Sequence, residues 1–170
     1  SKDNKKISYE YLKKMFLSSG SKVMDQVVKC NRCSFIYTNP RIKENIINKG
    51  YSFSIDKKFI SQDLMRIKSF ENTINIIDKI INLSQKKILD VGSAGGAFLK
   101  ACFNRNINAD GIEPNKWLVD FGKKNYQVNI KNIQLNKVYK KYDVVCFFDV
   151  IEHIPNLKKI LKDINRITKK

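Results

Sequence analysis

Residues 88–100 read ILDVGSAGGAFLK, and this stretch decides how the rest of the chain is parsed. Ile88, Leu89 and Val91 form a short apolar run of the kind found in a strand buried on both faces. Gly92, Gly95 and Gly96 follow as a glycine-rich turn, and Ala97, Phe98 and Leu99 open an apolar helix. Glycine serves where φ is positive or where the backbone approaches a ligand closely. Strand, ligand-facing turn and helix are therefore the expected order.

Downstream the same alternation repeats. KKILDV, INADGIE, a short piece within 128–135, and YDVVCFFDV read as strands. AFLKACFNRN, NKWLVDFGKKN and PNLKKILKDINRIT read as helices, the last with Leu157, Ile160, Leu161, Ile164 and Ile167 on one face. Apolar strands alternating with amphipathic helices predict the α/β class, a parallel sheet with helices on both faces. Ligands in such sheets bind beyond the carboxyl ends of the strands.

Upstream, residues 56–83 carry Phe59, Ile60, Leu64, Ile67, Phe70, Ile74, Ile77 and Ile81 three to four apart, which predicts one long covering helix. VVK and SFIYT flank CNRC as a hairpin with its turn at the cysteines, and Asn39-Pro40 ends it before a lysine-rich helix that runs to about Lys49. Tyr11, Leu12, Met15, Phe16 and Leu17 suggest a first short helix. The expected organisation is 1–55 for helix plus hairpin, 56–85 for the covering helix and 86–170 for the ligand-binding domain.

The chain has 170 residues, 42% of them hydrophobic, which suits one core with a small appendage. No apolar run approaches the ~20 residues that span a bilayer. The start, SKDNKKISYEYLKK, lacks the apolar segment of a signal peptide, so a cytoplasmic protein is expected. The net charge of +17 is nearly all lysine. Lysine, isoleucine and asparagine together make about 40% of the chain, far above ordinary usage, and all three share A/T-rich codons. Lys5, Lys57, Lys86, Lys123 and Lys158 are scattered, with no stripe of interleaved aromatics, which argues against a dedicated nucleic-acid surface and for an anionic small molecule. Cys30 and Cys33 form a CxxC, while Cys102 and Cys146 sit alone in apolar segments, the usage of a reducing compartment.

The first strand ends at Asp90, and Glu113 ends the second strand twenty-three residues later. An acid at that point can accept hydrogen bonds from both hydroxyls of a ribose. A glycine turn with a ribose acid points to a nucleoside-containing cofactor. The loop Gly92-Ser93-Ala94-Gly95-Gly96 does not follow the G-x-G-x-x-G spacing that a dinucleotide pyrophosphate requires.

ILDVGSAGGAF, ADGIEPN and YDVVCFFDVIEHIPN, in this order, resemble the motifs of class I S-adenosylmethionine (SAM) methyltransferases over about residues 86–168. The resemblance implies a Rossmann-like sheet, a loop of Asp90, Gly92, Ser93, Ala94 and Gly96 against the methionine part of SAM, and Glu113 on its ribose. It places Pro114 and Asn115 beside the adenine, with Asn136 where the family usually carries an acid. It also places Asp149, Glu152 and His153 at the methionine end and the acceptor pocket. His153, the only histidine, reads either as a structural or positioning residue that caps the turn before its helix or as a general base, with Asp149 or Glu152 as the other candidate bases. The family sheet has seven strands, so the last three are expected to be missing, leaving a sheet edge for self-association or a partner chain.

CNRCSFIYTNPR resembles half of a zinc ribbon that precedes the domain in one branch of the family. Cys30 and Cys33 would be its ligands, but structural zinc takes four, and no other cysteine or histidine lies within residues 1–29. The expectation is therefore a ribbon remnant, either degenerate or parted from its other half upstream, with bound zinc the less favoured outcome. The resemblance implies methyl transfer to a small-molecule acceptor such as a nucleotide-linked sugar, at oxygen before nitrogen or carbon. The alternatives are a non-catalytic or partner-dependent SAM-binding module and an RNA-directed methyltransferase.

Overall fold

A computed structural model describes residues 26–39 and 44–169. The chain divides into two compact units, Ser1–Asp56 and Lys57–Lys170. The short helix expected at residues 11–17 lies outside the described residues.

In the first unit, β1 (Val27–Lys29) pairs antiparallel with β2 (Ile36–Thr38), Val28 opposite Tyr37. The hairpin closes around the CxxC: Cys30 N donates to Phe35 O at 2.8 Å and Ser34 N to Cys30 O at 2.9 Å. Ser34 takes φ +60° to make the turn. Helix α1 (Glu44–Phe53) follows.

The second unit begins with α2 (Lys57–Ile60) and α3 (Asp63–Ile81). The single helix expected over 56–83 is thus two pieces. Ser61 Oγ donates back to Lys58 O at 2.7 Å, a local bond that competes with helix continuation. Asp63, an acid suited to a helix N-terminus, then opens the second piece. The predicted apolar stripe holds at Ile67 and Ile74, which are buried, and at Phe70 and Ile77, which pack against the core. Leu64 departs from it, being 80% exposed at the start of α3.

The sheet contains β3 (Ile88–Val91), β4 (Ala109–Ile112), β5 (Ile130–Lys131) and β6 (Val144–Cys146). Their order is β5-β4-β3-β6, and every pairing is parallel, with Asp90 between Gly111 and Cys146. The crossovers are α4 (Ala97–Phe103) and α5 (Lys116–Tyr126), and α6 (Leu157–Ile167) follows β6. After α6 the chain returns to the sheet: Thr168 bridges Tyr142 in parallel, Lys169 N donating to Tyr142 O at 2.8 Å.

The pleat sorts side chains of the central strand to two cores. Ile88 joins Ile67, Ile74, Phe98, Leu99, Cys102, Val119 and Ile130 under α3, α4 and α5. Leu89 and Val91 join Ile112, Leu135, Val138, Tyr142 and Ile167 on the opposite face. Each fully buried Ile, Leu or Phe contributes about 1.5–3 kcal/mol. At the amino end of β4, Asp110 accepts from Asn129 at 2.6 Å, Lys140 at 2.5 Å and Tyr142 at 2.9 Å, tying the segments on either side of β5 to the sheet. No helix among the described residues is long and apolar enough to cross a membrane.

Candidate functional site

The glycine loop is fastened to the carboxyl end of the neighbouring strand. Gly92 N and Ser93 N both donate to Ile112 O, at 2.9 and 3.1 Å, and Gly96 N donates to Ser93 O at 2.8 Å. Gly92 and Gly96 adopt φ +73° and +87°, the left-handed region that favours glycine. Ala94 also has positive φ, +46°, and turns its N–H to the Glu113 carboxylate at 3.0 Å. A Cβ on Gly92 would stand 2.6 Å from Val150 Cγ2, so the segment after β6 rests directly on the start of the loop.

Glu113 leaves β4 buried, with its second oxygen accepting from Asn115 N at 2.8 Å. Burial raises its pKa against those two N–H donors. Asn115 caps α5, its side-chain oxygen accepting from Trp117 N and Leu118 N at 3.0 and 3.3 Å. Pro114 is exposed beside it. Asn132, just past β5, donates to Glu113 O and Pro114 O at 2.9 and 2.8 Å and holds this corner in place.

Asp90 is fully enclosed at the end of β3. Burial, then the nearby Glu113 charge, pushes its carboxyl well above the usual aspartate range. Its Oδ1 is a buried acceptor with no hydrogen-bond partner among the described residues. Cys102 and Cys146 lie near it, and burial followed by the Asp90 charge pushes both thiols to about 12, so they are inert packing groups.

Of the sequence-predicted residues, Asp90, Gly92, Ser93, Ala94, Gly96, Glu113 and Asn115 converge on one corner of the sheet. Asn136 does not join that hydrogen-bonded cluster; it sits exposed in a short 3-10 turn, Leu135–Lys137, and the neighbour of Glu113 on this side is Asn132. Asp149 is exposed with φ +53°. Glu152 and His153 lie in a 3-10 turn, Ile151–His153, with His153 Nε2 3.9 Å from Glu152 Oε1. Asn156 caps α6, its side-chain oxygen accepting from Lys159 N at 3.1 Å.

Sequence reading missed Asn132 and Asp63, and the contact of Val150 with the loop at Gly92. Asn132 follows the third strand of the sheet directly, a strand-end position that could have flagged it. Val150 carried no signal beyond membership of the DVIEH stretch. Asp63 is buried, and Tyr126 OH donates to it at 3.1 Å; its only mark in sequence was an acid within an apolar stripe.

In the hairpin, N–H groups of Cys33 and Arg32 and the Cys33 thiol lower the Cys30 pKa. No cluster of three or more metal-ligating side chains occurs among the described residues.

A parallel sheet of order β5-β4-β3-β6, with a glycine loop after the central strand and an acid ending its neighbour, is the class I SAM-dependent methyltransferase fold. The family described as "Methyltransferase domain" matches residues 65–170, and the chain belongs to it. Among curated relatives, it is 27% identical over 105 residues to a ubiquinone biosynthesis O-methyltransferase of Pseudomonas fluorescens, covering 56% of this chain and 45% of that protein. A ubiquinone biosynthesis O-methyltransferase of Coxiella burnetii is 24% identical over 98 residues, covering 53% and 42%. The chain thus spans under half the length of these relatives. Among solved structures, magnesium protoporphyrin IX methyltransferase from Synechocystis PCC 6803 with bound SAM aligns with a TM-score of 0.59 at 14% identity, over 78% of this chain and 75% of that one. The plantazolicin methyltransferase BpumL in complex with SAH aligns with a TM-score of 0.56 at 18% identity, over 72% and 53%.

Proposed function

We propose that the chain binds SAM at the β3–β4 corner and transfers its methyl group to an oxygen of a small-molecule acceptor. The observation that carries this reading is the enclosed carboxylate pair. Glu113 is held by two backbone N–H groups above a positive-φ loop, and Asp90 offers a buried oxygen without a partner. Carboxylates so placed fit ribose hydroxyls and an ammonium group respectively, the polar ends of SAM. Glu113 would hold the ribose, and Asp90 with the 92–96 loop the methionine end. Asn115, Pro114 and Asn132 would border the adenine, with Asn136 in reach only if its turn moves.

Bound there, SAM supplies a methyl group on a sulfonium that is already a good leaving group. The chain's task is then orientation and exclusion of water. The segment from Asp149 to His153 follows β6 on the same side of the sheet, and Val150 joins it to the loop at Gly92. Asp149, Glu152 or His153 would take the acceptor's proton where the acceptor is a weak acid.

Curated relatives named as O-methyltransferases support oxygen as the target. The lysine-rich surface suits an anionic acceptor such as a nucleotide-linked sugar. The four free thiols suit a reducing, cytoplasmic setting. Cys30 and Cys33 would supply only two of the four ligands that structural zinc takes, which leaves the hairpin a ribbon remnant, and no step of the transfer runs through them. Beyond Tyr142 the outer edge of β6 has no pairing among the described residues, where a further strand or a second chain would add.

Calorimetry with SAM and with its demethylated product, S-adenosylhomocysteine (SAH), tests the cofactor. Absence of binding by both overturns the reading. Turnover against sugar nucleotides and phenols then names the acceptor, and binding without turnover of any acceptor makes the chain a cofactor-binding module.

A further inference from the structure

Asp63 stands far from the motifs yet ends beside the cofactor loop. It opens α3, is 2% exposed, and accepts a hydrogen bond from Tyr126 OH at 3.1 Å. A Cβ built on Gly95 would lie 3.1 Å from Asp63 Oδ2 and 3.2 Å from the Phe121 ring. Tyr126 meets Phe121 edge-on, ring centroids 5.6 Å apart at 84°. From the α5 side, a Cβ on Gly122 would stand 2.7 Å from Gly95 O. Gly95 is therefore bracketed by an acid from α3 and by an aromatic pair and a glycine from α5.

Resting on the SAM-binding reading above, we propose that Asp63 and Tyr126 form a latch that positions the glycine loop for the cofactor. Asp63 Oδ2 closes the space a Gly95 side chain would need, Gly95 follows Ala94, and the Ala94 N–H is one of the two donors that hold the Glu113 carboxylate. A shift of a few tenths of an ångström at Gly95 misdirects that N–H and loosens the ribose acid. Burial raises the Asp63 pKa, opposed by the Tyr126 hydrogen bond and by Arg66, so this carboxyl is a strained choice for mere packing. Asp63 and Tyr126 are positioning residues; neither is assigned contact with substrate.

The test uses the whole chain and two readouts. Asp63→Ala and Tyr126→Phe should weaken SAH binding about tenfold by calorimetry, measured well below the thermal midpoint of each variant. Asp63→Asn keeps a carbonyl for the Tyr126 hydroxyl and should stay within about threefold of the wild type. The double variant Asp63→Ala/Tyr126→Phe should bind no worse than Asp63→Ala, because both changes open the same latch. Hydrogen exchange supplies the second readout: amides of residues 93–97 should lose protection in Tyr126→Phe while those of 109–112 keep theirs. SAH affinities within twofold of the wild type in both single variants overturn the latch, as does unchanged exchange in the loop. A wild-type chain that binds neither SAM nor SAH sinks the cofactor reading, and loop exchange then decides the latch by itself.

Discussion

Replacing Gly92 by alanine probes the approach of the segment after β6 to the glycine loop. The residue sits at φ +73°, where an L side chain is disfavoured by about 1–2 kcal/mol. Its new Cβ would stand 2.6 Å from Val150 Cγ2, an overlap that side-chain or backbone shifts relieve at about 1–3 kcal/mol. The two contributions give a loss of about 2–5 kcal/mol, a large part of the 5–15 kcal/mol typical of a whole domain. Urea unfolding with an unchanged slope measures it. The two contributions separate in a cycle with Val150→Ala. Truncating Val150 removes the overlapping methyl and leaves the backbone strain, so the double variant should be less destabilised than the sum of the singles by about 1–3 kcal/mol. Additivity within about 0.5 kcal/mol would show that the segment after β6 does not rest on the loop.

Four further outcomes follow from the same corner and its supports. An acid with a higher pKa in the folded than in the unfolded chain stabilises most at low pH, and its contribution declines as pH rises from the unfolded value, about 3.9, through the raised one. Asp90→Asn should therefore gain thermal stability over the wild type progressively from about pH 4 upward, and an equal gap at pH 4 and pH 8 contradicts the buried carboxyl. Asp110 behaves oppositely: burial works against its charge, but the Lys140, Tyr142 and Asn129 hydrogen bonds outweigh it and lower the pKa. Asp110→Asn should then be destabilising at neutral pH, and the difference should shrink as pH falls through the lowered pKa; thermal midpoints across that range check it. Glu113→Gln leaves a single oxygen for two N–H donors and should weaken SAH binding about 10–100-fold by calorimetry, whereas retention within twofold removes Glu113 from the site. Asp149→Val puts a β-branched residue at φ +53° and should cost about 1–2 kcal/mol, while Asp149→Gly stays within about 0.5 kcal/mol, both read from urea midpoints.

What could be read from the sequence is what local spacing controls. Strand, glycine turn and helix follow one another within residues 88–103, so the loop and the alternating elements after it were legible. The place of Glu113 at a strand end was legible from the position of INADGIE after the first crossover helix. The two-piece covering helix was not: its break depends on a serine hydroxyl turning back onto the chain and on an acid opening the next turn, both weak against an apolar stripe. Asn132 and Asn136 flank the apolar Ile133 and Leu135, and it is the end of β5 at Lys131 that brings Asn132 to the Glu113 corner. Asp63 and Tyr126 are 63 residues apart, and no periodicity encodes a contact made by tertiary packing.

If the corner holds SAM as proposed, the way it is bonded argues that cofactor grip and acceptor choice are separable in this chain. Gly92, Ser93 and Ala94 each spend a backbone N–H on Ile112 or Glu113, so the loop and the end of β4 move as one piece. Any substitution there disturbs several bonds together. Asp149, Glu152 and His153 are exposed, and Val150 of the same segment packs on Gly92. Polar changes at those three positions leave the loop bonds intact. On the proposed reading, a polar exchange at Glu152 that alters acceptor deprotonation should leave SAH affinity within about twofold, whereas truncating Val150, which packs on the loop, should change turnover and SAH affinity together.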